Sequence, residues 1–204
     1  MGNYLYKAKF TFFMVGNLAS FTKIDIIRCL LRVGKPISRA ELSKTLDLGE
    51  GTIRSILDIL KKNKLLESNN KGHYLSTKGS NLVNKIKNYV NMKEIVSNKI
   101  FSNKKKIAVC VKKPKKAIKS YILRDEAVKN GADGAVILRF DKKLILYDSG
   151  YKEDFTDVEN KFDLATNDMV IVTYAESYRL AEHGALAAAV EINADLRNIM
   201  KKFK

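Results

Sequence analysis

The stretch from Ile37 to Gly79 constrains this chain more than any other: ISRAELSKTLDLGEGTIRSILDILKKNKLLESNNKGHYLSTKG. Ile53, Ile56, Leu57 and Leu60 recur at i, i+3, i+4 and i+7, which predicts a helix over about 50–62 with one buried stripe. The opposite face carries Gly51, Ser55, Asp58 and Lys62, flanked by Thr52 and Arg54. Ahead of it, Ser38 stands three residues before Glu41, a capping-box spacing, and opens a helix that buries Leu42 and Leu46. Leu48-Gly49-Glu50 supplies a Gly-containing turn between the two helices. Downstream, Leu65–Ser68 and His73–Ser76 read as short strands. Asn69-Asn70-Lys71-Gly72 joins them, and Asn and Gly supply the left-handed conformations a tight hairpin needs. A scaffold helix over Phe21–Val33 comes first, with Ile24, Ile27, Leu30 and Leu31 at helical spacing. Gly34-Lys35-Pro36 ends it. Thr77 begins a last helix, expected to reach about Ile95, with Leu82, Val83, Ile86 and Val90 on one side.

Helix, turn, helix, hairpin, in that order, is the layout of a winged helix-turn-helix, a module that places its second helix in the DNA major groove. Double-stranded DNA is therefore the expected partner. The expected DNA contacts are Gly51, Thr52, Arg54, Ser55 and Lys62 on the helix, and Asn69, Asn70 and Lys71 at the wing tip. Arg54 lies near the helix start, where side chains reach base edges; Lys62 lies near its end, where phosphates are the partners. An amphipathic helix with a merely solvated face explains residues 50–62 alone, but not the order of elements around them. Charge agrees with the DNA reading. Residues 1–105 hold 20 basic and 7 acidic side chains, whereas residues 106–204 hold 18 and 15, so the basic excess sits with the winged module.

The pattern changes after Val96–Lys106, a polar, basic junction. We expect a winged domain with an N-terminal extension over 1–95, the junction over 96–106 and a second domain over 107–204. The second reads as strand (Ile107–Val111), helix (Ser120–Asn130), strand pair (Ala135–Phe140 and Leu144–Tyr147), strand (Met169–Tyr174) and a long helix to about Met200. The fold class is α+β. Cys29 and Cys110 lie far apart in apolar runs and read as buried thiols, and His73 and His183 lack partners at ligand spacing, so no metal and no cofactor is assigned. Phe10–Phe21 reads as a helix packing on the winged domain, and no apolar run approaches the length of a membrane span. A cytoplasmic protein is expected.

The chain resembles the archaeal winged-helix proteins that carry a C-terminal α/β domain of uncharacterised function. The resemblance is carried by Leu48-Gly49-Glu50-Gly51-Thr52-Ile53-Arg54 and Lys71-Gly72-His73-Tyr74-Leu75 in the first half. In the second half it is carried by Leu123-Arg124-Asp125-Glu126-Ala127, Gly131-Ala132-Asp133-Gly134-Ala135 and Ile171-Val172-Thr173-Tyr174-Ala175-Glu176. It implies a transcriptional regulator and brings no ligand, operator or catalytic residue with it. From the residues themselves, Arg124, Asp125, Glu126, Thr173 and Glu176 are candidate effector contacts, because strand ends and helix starts often hold small ligands. Lys112, Lys113, Lys115 and Lys116 favour an anionic effector. The competing role is homodimerisation through Ala181, Ala185, Ala188 and Ala189, or through the helix from Thr77. No nucleophile elbow, phosphate loop or dinucleotide fingerprint is present, so an enzyme is not expected. The alternatives are a winged-helix protein-interaction scaffold and, further off, an enzyme with a C-terminal site. A truncation near Lys105 is expected to fold and keep weak DNA binding.

Overall fold

The computed structural model describes residues 21–97, 100–114, 117–149 and 153–203. The fold is α+β, an N-terminal winged helix-turn-helix followed by a C-terminal α+β domain. The winged part comprises α1 (Lys23–Arg32), α2 (Arg39–Leu46), α3 (Glu50–Lys62), a hairpin of β1 (Leu66–Asn69) and β2 (Gly72–Leu75), and α4 (Thr77–Tyr89). The chain continues through β3 (Val90–Glu94), β4 (Lys105–Val111), α5 (Ser120–Lys129), β5 (Gly134–Asp141), β6 (Lys143–Leu146), α6 (Thr156–Glu159), β7 (Met169–Ala175), α7 (Tyr178–Ile192) and α8 (Ala194–Lys201).

β3 to β7 form one antiparallel sheet in the order β3-β4-β7-β5-β6. β4 and β7 are covered on both faces, which is why they read as continuous apolar runs. Along β7, Met169, Ile171 and Ala175 join the core under the helices. Val170 and Val172 point the other way, against Phe155 and Val158.

Three expectations are corrected. The helix from Thr77 stops at Tyr89, and Val90–Glu94 pairs with β4 as an edge strand, Val90 opposite Val111 and Met92 opposite Val109. Val90 continues the helical stripe, but the pairing available on β4 overrides that local periodicity. The long C-terminal helix breaks at Asn193, whose side chain accepts hydrogen bonds from the backbone N–H groups of Asp195 and Leu196 at 3.0 and 3.1 Å and so starts α8. The alanines do not offer a face to a partner: Ala181, Ala185, Ala188 and Ala189 are buried in this chain's own core, as are Val83, Ile86 and Val90. Small residues are needed here because α7 lies close to α5; a Cβ on Gly184 would stand 2.7 Å from Ala132 Cβ and 2.9 Å from Ala127 O. The expected helix over Phe10–Phe21 lies, apart from Phe21, outside the described residues, and so do Lys115 and Lys116.

One apolar core runs from α1–α4 into α5, α7 and α8. An ion cluster crosses it. Arg28, 1% exposed, bonds Asp25 at 2.9 Å, Glu182 at 2.8 Å and the Leu46 carbonyl at 3.2 Å. Arg32 adds a bond to Glu182 at 3.3 Å, and His183 donates to or accepts from Thr22 Oγ1 at 2.7 Å. Burial pushes the Asp25 carboxyl up, but hydrogen bonds from His183, the Thr22 backbone and Arg28 outweigh it and hold the group well below the usual carboxylate range. Cys29 and Cys110 are buried free thiols, and burial pushes both up to about 12. Among the described residues there is no cluster able to hold a metal ion, and no helix long and apolar enough to cross a membrane.

Candidate nucleic-acid interface

Ser38 Oγ caps α2 by accepting from Glu41 N at 3.1 Å. The reciprocal capping box forms instead on α1, between Thr22 and Asp25. The left-handed residue in the turn is Asp47 (φ 53), not a glycine; Gly49 has φ −59. Asn and Asp tolerate this conformation because their short side chains bond locally. α3 then buries Ile53, Ile56, Leu57 and Leu60. Its other side exposes Gly51, Arg54, Ser55, Asp58 and Lys62, with Thr52 half-buried beside them. A Cβ on Gly51 would meet nothing within 4 Å, so this first turn faces open space. Arg54 has no ion pair among the described residues. Ser55 Oγ donates to Gly51 O at 3.3 Å, so its hydroxyl is turned onto its own helix. Arg39 pairs with Glu50 at 3.0 Å at the entrance to α3.

In the wing, Asn69 faces Gly72 across a two-residue tip, Asn70-Lys71. Only Gly72 takes a positive φ (+125); the expectation that the asparagines share this role is corrected. Asn69 instead uses its side chain, Oδ1 accepting from Lys71 N at 2.8 Å. Asn69, Asn70 and Lys71 are all exposed. The wing is clamped to the segment before α2, since Ile37 and His73 exchange backbone hydrogen bonds at 2.9 and 2.8 Å. Burial, then the charges of Lys61 and Arg39, push the His73 imidazole below its ordinary value, and its Nδ1 lies 2.8 Å from Ser68 Oγ. A Cβ on Gly72 would sit 2.5 Å from Ile37 O. Gly72→Ala is therefore expected to cost about 1–3 kcal/mol through φ strain plus this clash. Urea denaturation measures it; an unchanged midpoint would show that the clamp is not needed.

The five candidate effector residues do not converge. Arg124 and Asp125 are exposed on α5, 3.8 Å apart. Glu126 accepts from Asn130 at 3.0 Å on the same helix. Thr173 is sealed between sheet and α7, its hydroxyl donating to Ala181 O at 2.7 Å. Glu176 is exposed and pairs with Lys104, which also holds Asp133 at 2.8 Å. Lys112 is committed to Asp168 at 2.9 Å. Burial presses its ammonium downward, but this bond and neighbouring negative groups raise it overall.

Residues 22–81 match the family model described as PH0730-like, N-terminal domain, and residues 102–192 match a domain of unknown function, DUF4443. Among solved structures, the chain is similar to hypothetical protein PH0730 from Pyrococcus horikoshii OT3, at 27% identity and a TM-score of 0.79, covering 90% of this chain and 100% of that one. It also matches S. agalactiae BusR in complex with its busAB-promotor DNA, at 12% identity over 84% of this chain and 97% of that one. The TM-score there is 0.23, too low to carry an argument. No curated protein matches the chain. The sequence resemblance to archaeal winged-helix proteins thus meets an archaeal structure that shares both halves of the fold.

Proposed function

We propose that the protein is a transcriptional regulator that binds double-stranded DNA, reading it with α3 and steadying it with the wing. The carrying observation is the outer side of α3: an open first turn at Gly51, an exposed Arg54 without an ion pair among the described residues, and Lys62 at the far end, on a helix fixed from behind by four buried apolar residues. Small residues admit the groove, a guanidinium reads a guanine edge, and lysines hold phosphates. Asn69, Asn70 and Lys71 reach the backbone or the minor groove from the wing. Such a protein works in the cytoplasm beside its DNA, has no catalytic step, and acts as a homodimer on a two-part operator. Its second half senses an effector or joins two copies. Among the described residues, the large apolar side chains left exposed, and so on offer for joining, are Val96, Phe101, Tyr121, Ile122, Val128, Tyr178 and Leu180.

Selection of bound sequences from random DNA tests the reading, and two substitutions refine it. Arg54→Ala is expected to lose about 1–3 kcal/mol on the selected site and to relax preference at one base pair. Lys62→Ala is expected to weaken selected and random duplexes alike and to lower the salt slope by about 1. Equal weakening of both duplexes by Arg54→Ala would remove its base-reading role. Absence of any salt-dependent DNA binding sinks the regulator reading itself.

A further inference from the structure

At one end of the sheet, a cleft of about 390 Å³ opens between the segment after β4 and the ends of β5 and β7. Lys113, Arg139, Asn167 and Tyr147 line it, with Pro114 and Met169 among the apolar remainder. Among the described residues, its two charged side chains are both cations. Arg139 is half-buried on β5, and no carboxylate or hydrogen-bond acceptor holds its guanidinium among the described residues; its Nε is buried without a partner. The Tyr147 ring stands beside it, with the guanidinium carbon 5.8 Å from the centroid. Leaving a half-buried guanidinium without a counter-charge is costly, so such groups are normally paired.

The site is braced from beneath. Asp168 is fully buried and accepts from Lys112 Nζ, Lys113 N and Ala165 N at 2.9, 3.0 and 2.9 Å. One carboxylate thus ties the lysine-bearing segment to the entry of β7 and sets Lys113 at the rim. Asp168 is itself satisfied by these three donors, so it does not neutralise Arg139. Asn167 is anchored through its backbone, N–H to Phe140 O at 3.0 Å, and its side chain remains exposed at the mouth.

We propose that this cleft binds a phosphate-bearing small molecule. Arg139 and Lys113 receive the phosphate, Asn167 supplies a neutral donor, and the body of the ligand rests against Tyr147, Pro114 and Met169. A planar guanidinium matches two phosphate oxygens at once, and a lysine adds a point charge. The volume is within the range of small-molecule sites and exceeds what a bare ion needs. This inference rests on the effector-sensing part of the proposed function, and it places that effector away from Arg124, Asp125, Glu126, Thr173 and Glu176.

Calorimetric titration of the full chain, without DNA and in a phosphate-free buffer, tests it with inorganic phosphate and phenyl phosphate as probes. Saturable 1:1 binding is expected, tighter for phenyl phosphate because its ring uses the apolar side of the cleft. Arg139→Gln is expected to weaken phenyl phosphate at least about tenfold, the scale of one lost charge-assisted contact. Lys113→Gln, exposed and therefore harmless to folding, is expected to weaken it severalfold with an unchanged melting curve. Failure of either probe to bind, or binding that Lys113→Gln leaves intact, overturns the proposal. Loss of DNA affinity in Lys113→Gln without any phosphate binding also overturns it, and makes the cleft a DNA contact. DNA binding through α3 is read separately with Arg54→Ala, so the two readings fail independently.

Discussion

Replacing Arg28 with methionine is expected to cost about 3–5 kcal/mol of folding free energy, the usual penalty for removing one partner of a buried ion pair. Methionine fills a similar volume and leaves no large cavity. The loss comes from Glu182 and Asp25, which stay buried with their main cation gone. Arg32 offsets part of this, since it reaches Glu182 from the surface at 3.3 Å. Denaturant unfolding of the full chain measures the cost. Replacing Arg28, Asp25 and Glu182 together by apolar residues is expected to recover much of it, because no charge is then stranded. A loss below about 1 kcal/mol for Arg28→Met would mean the cluster is hydrated and behaves like a surface pair.

A chain ending at Lys105 is expected not to fold. This reverses the expectation drawn from the sequence alone. The cut removes α5, α7 and α8, which share one core with Ile26, Ile27, Leu30, Val83 and Ile86. It also removes β4, the strand that pairs with β3. Glu182, the acceptor for Arg28 and Arg32, goes with it. The fragment is expected to show no cooperative thermal transition by circular dichroism and no sequence preference on DNA. A sharp transition together with operator binding would prove that the winged half is self-sufficient.

The legible parts of this chain are those in which the local pattern and the tertiary outcome agree. α3 was readable because its four buried positions repeat at helical spacing and its polar side is unbroken. The wing was readable from Asn and Gly between two short runs, though which residue takes the left-handed backbone was not, since an asparagine side chain can close the turn in other ways. β3 was hidden because Val90 fits the stripe of α4 as well as it fits a strand, and only pairing with β4 decides. The two arginines at opposite ends of the molecule's chemistry were hidden for a different reason. Arg28 and Arg139 look like ordinary surface charges until burial is known. Glu182 did leave a trace, as the lone carboxylate of a helical run from Leu180 to Val190 that is apolar apart from its neighbour His183, where a charge needs a partner. The candidate effector residues do not converge because neighbours in sequence, such as Thr173 and Glu176, need not share an environment: one lies inside the sheet layer and the other at its exposed end.

The Arg28–Glu182 pair also bears on how this chain is inherited. Its halves match two separate models, over 22–81 and 102–192, as if they were interchangeable modules. Recombination that joined the first half to a foreign second half would leave a guanidinium facing apolar atoms, and the reciprocal hybrid would leave a carboxylate there. Either hybrid begins life several kcal/mol less stable than its parents. Exchange of either half therefore carries a stability cost unless the incoming half supplies the matching charge at the Arg28–Glu182 contact.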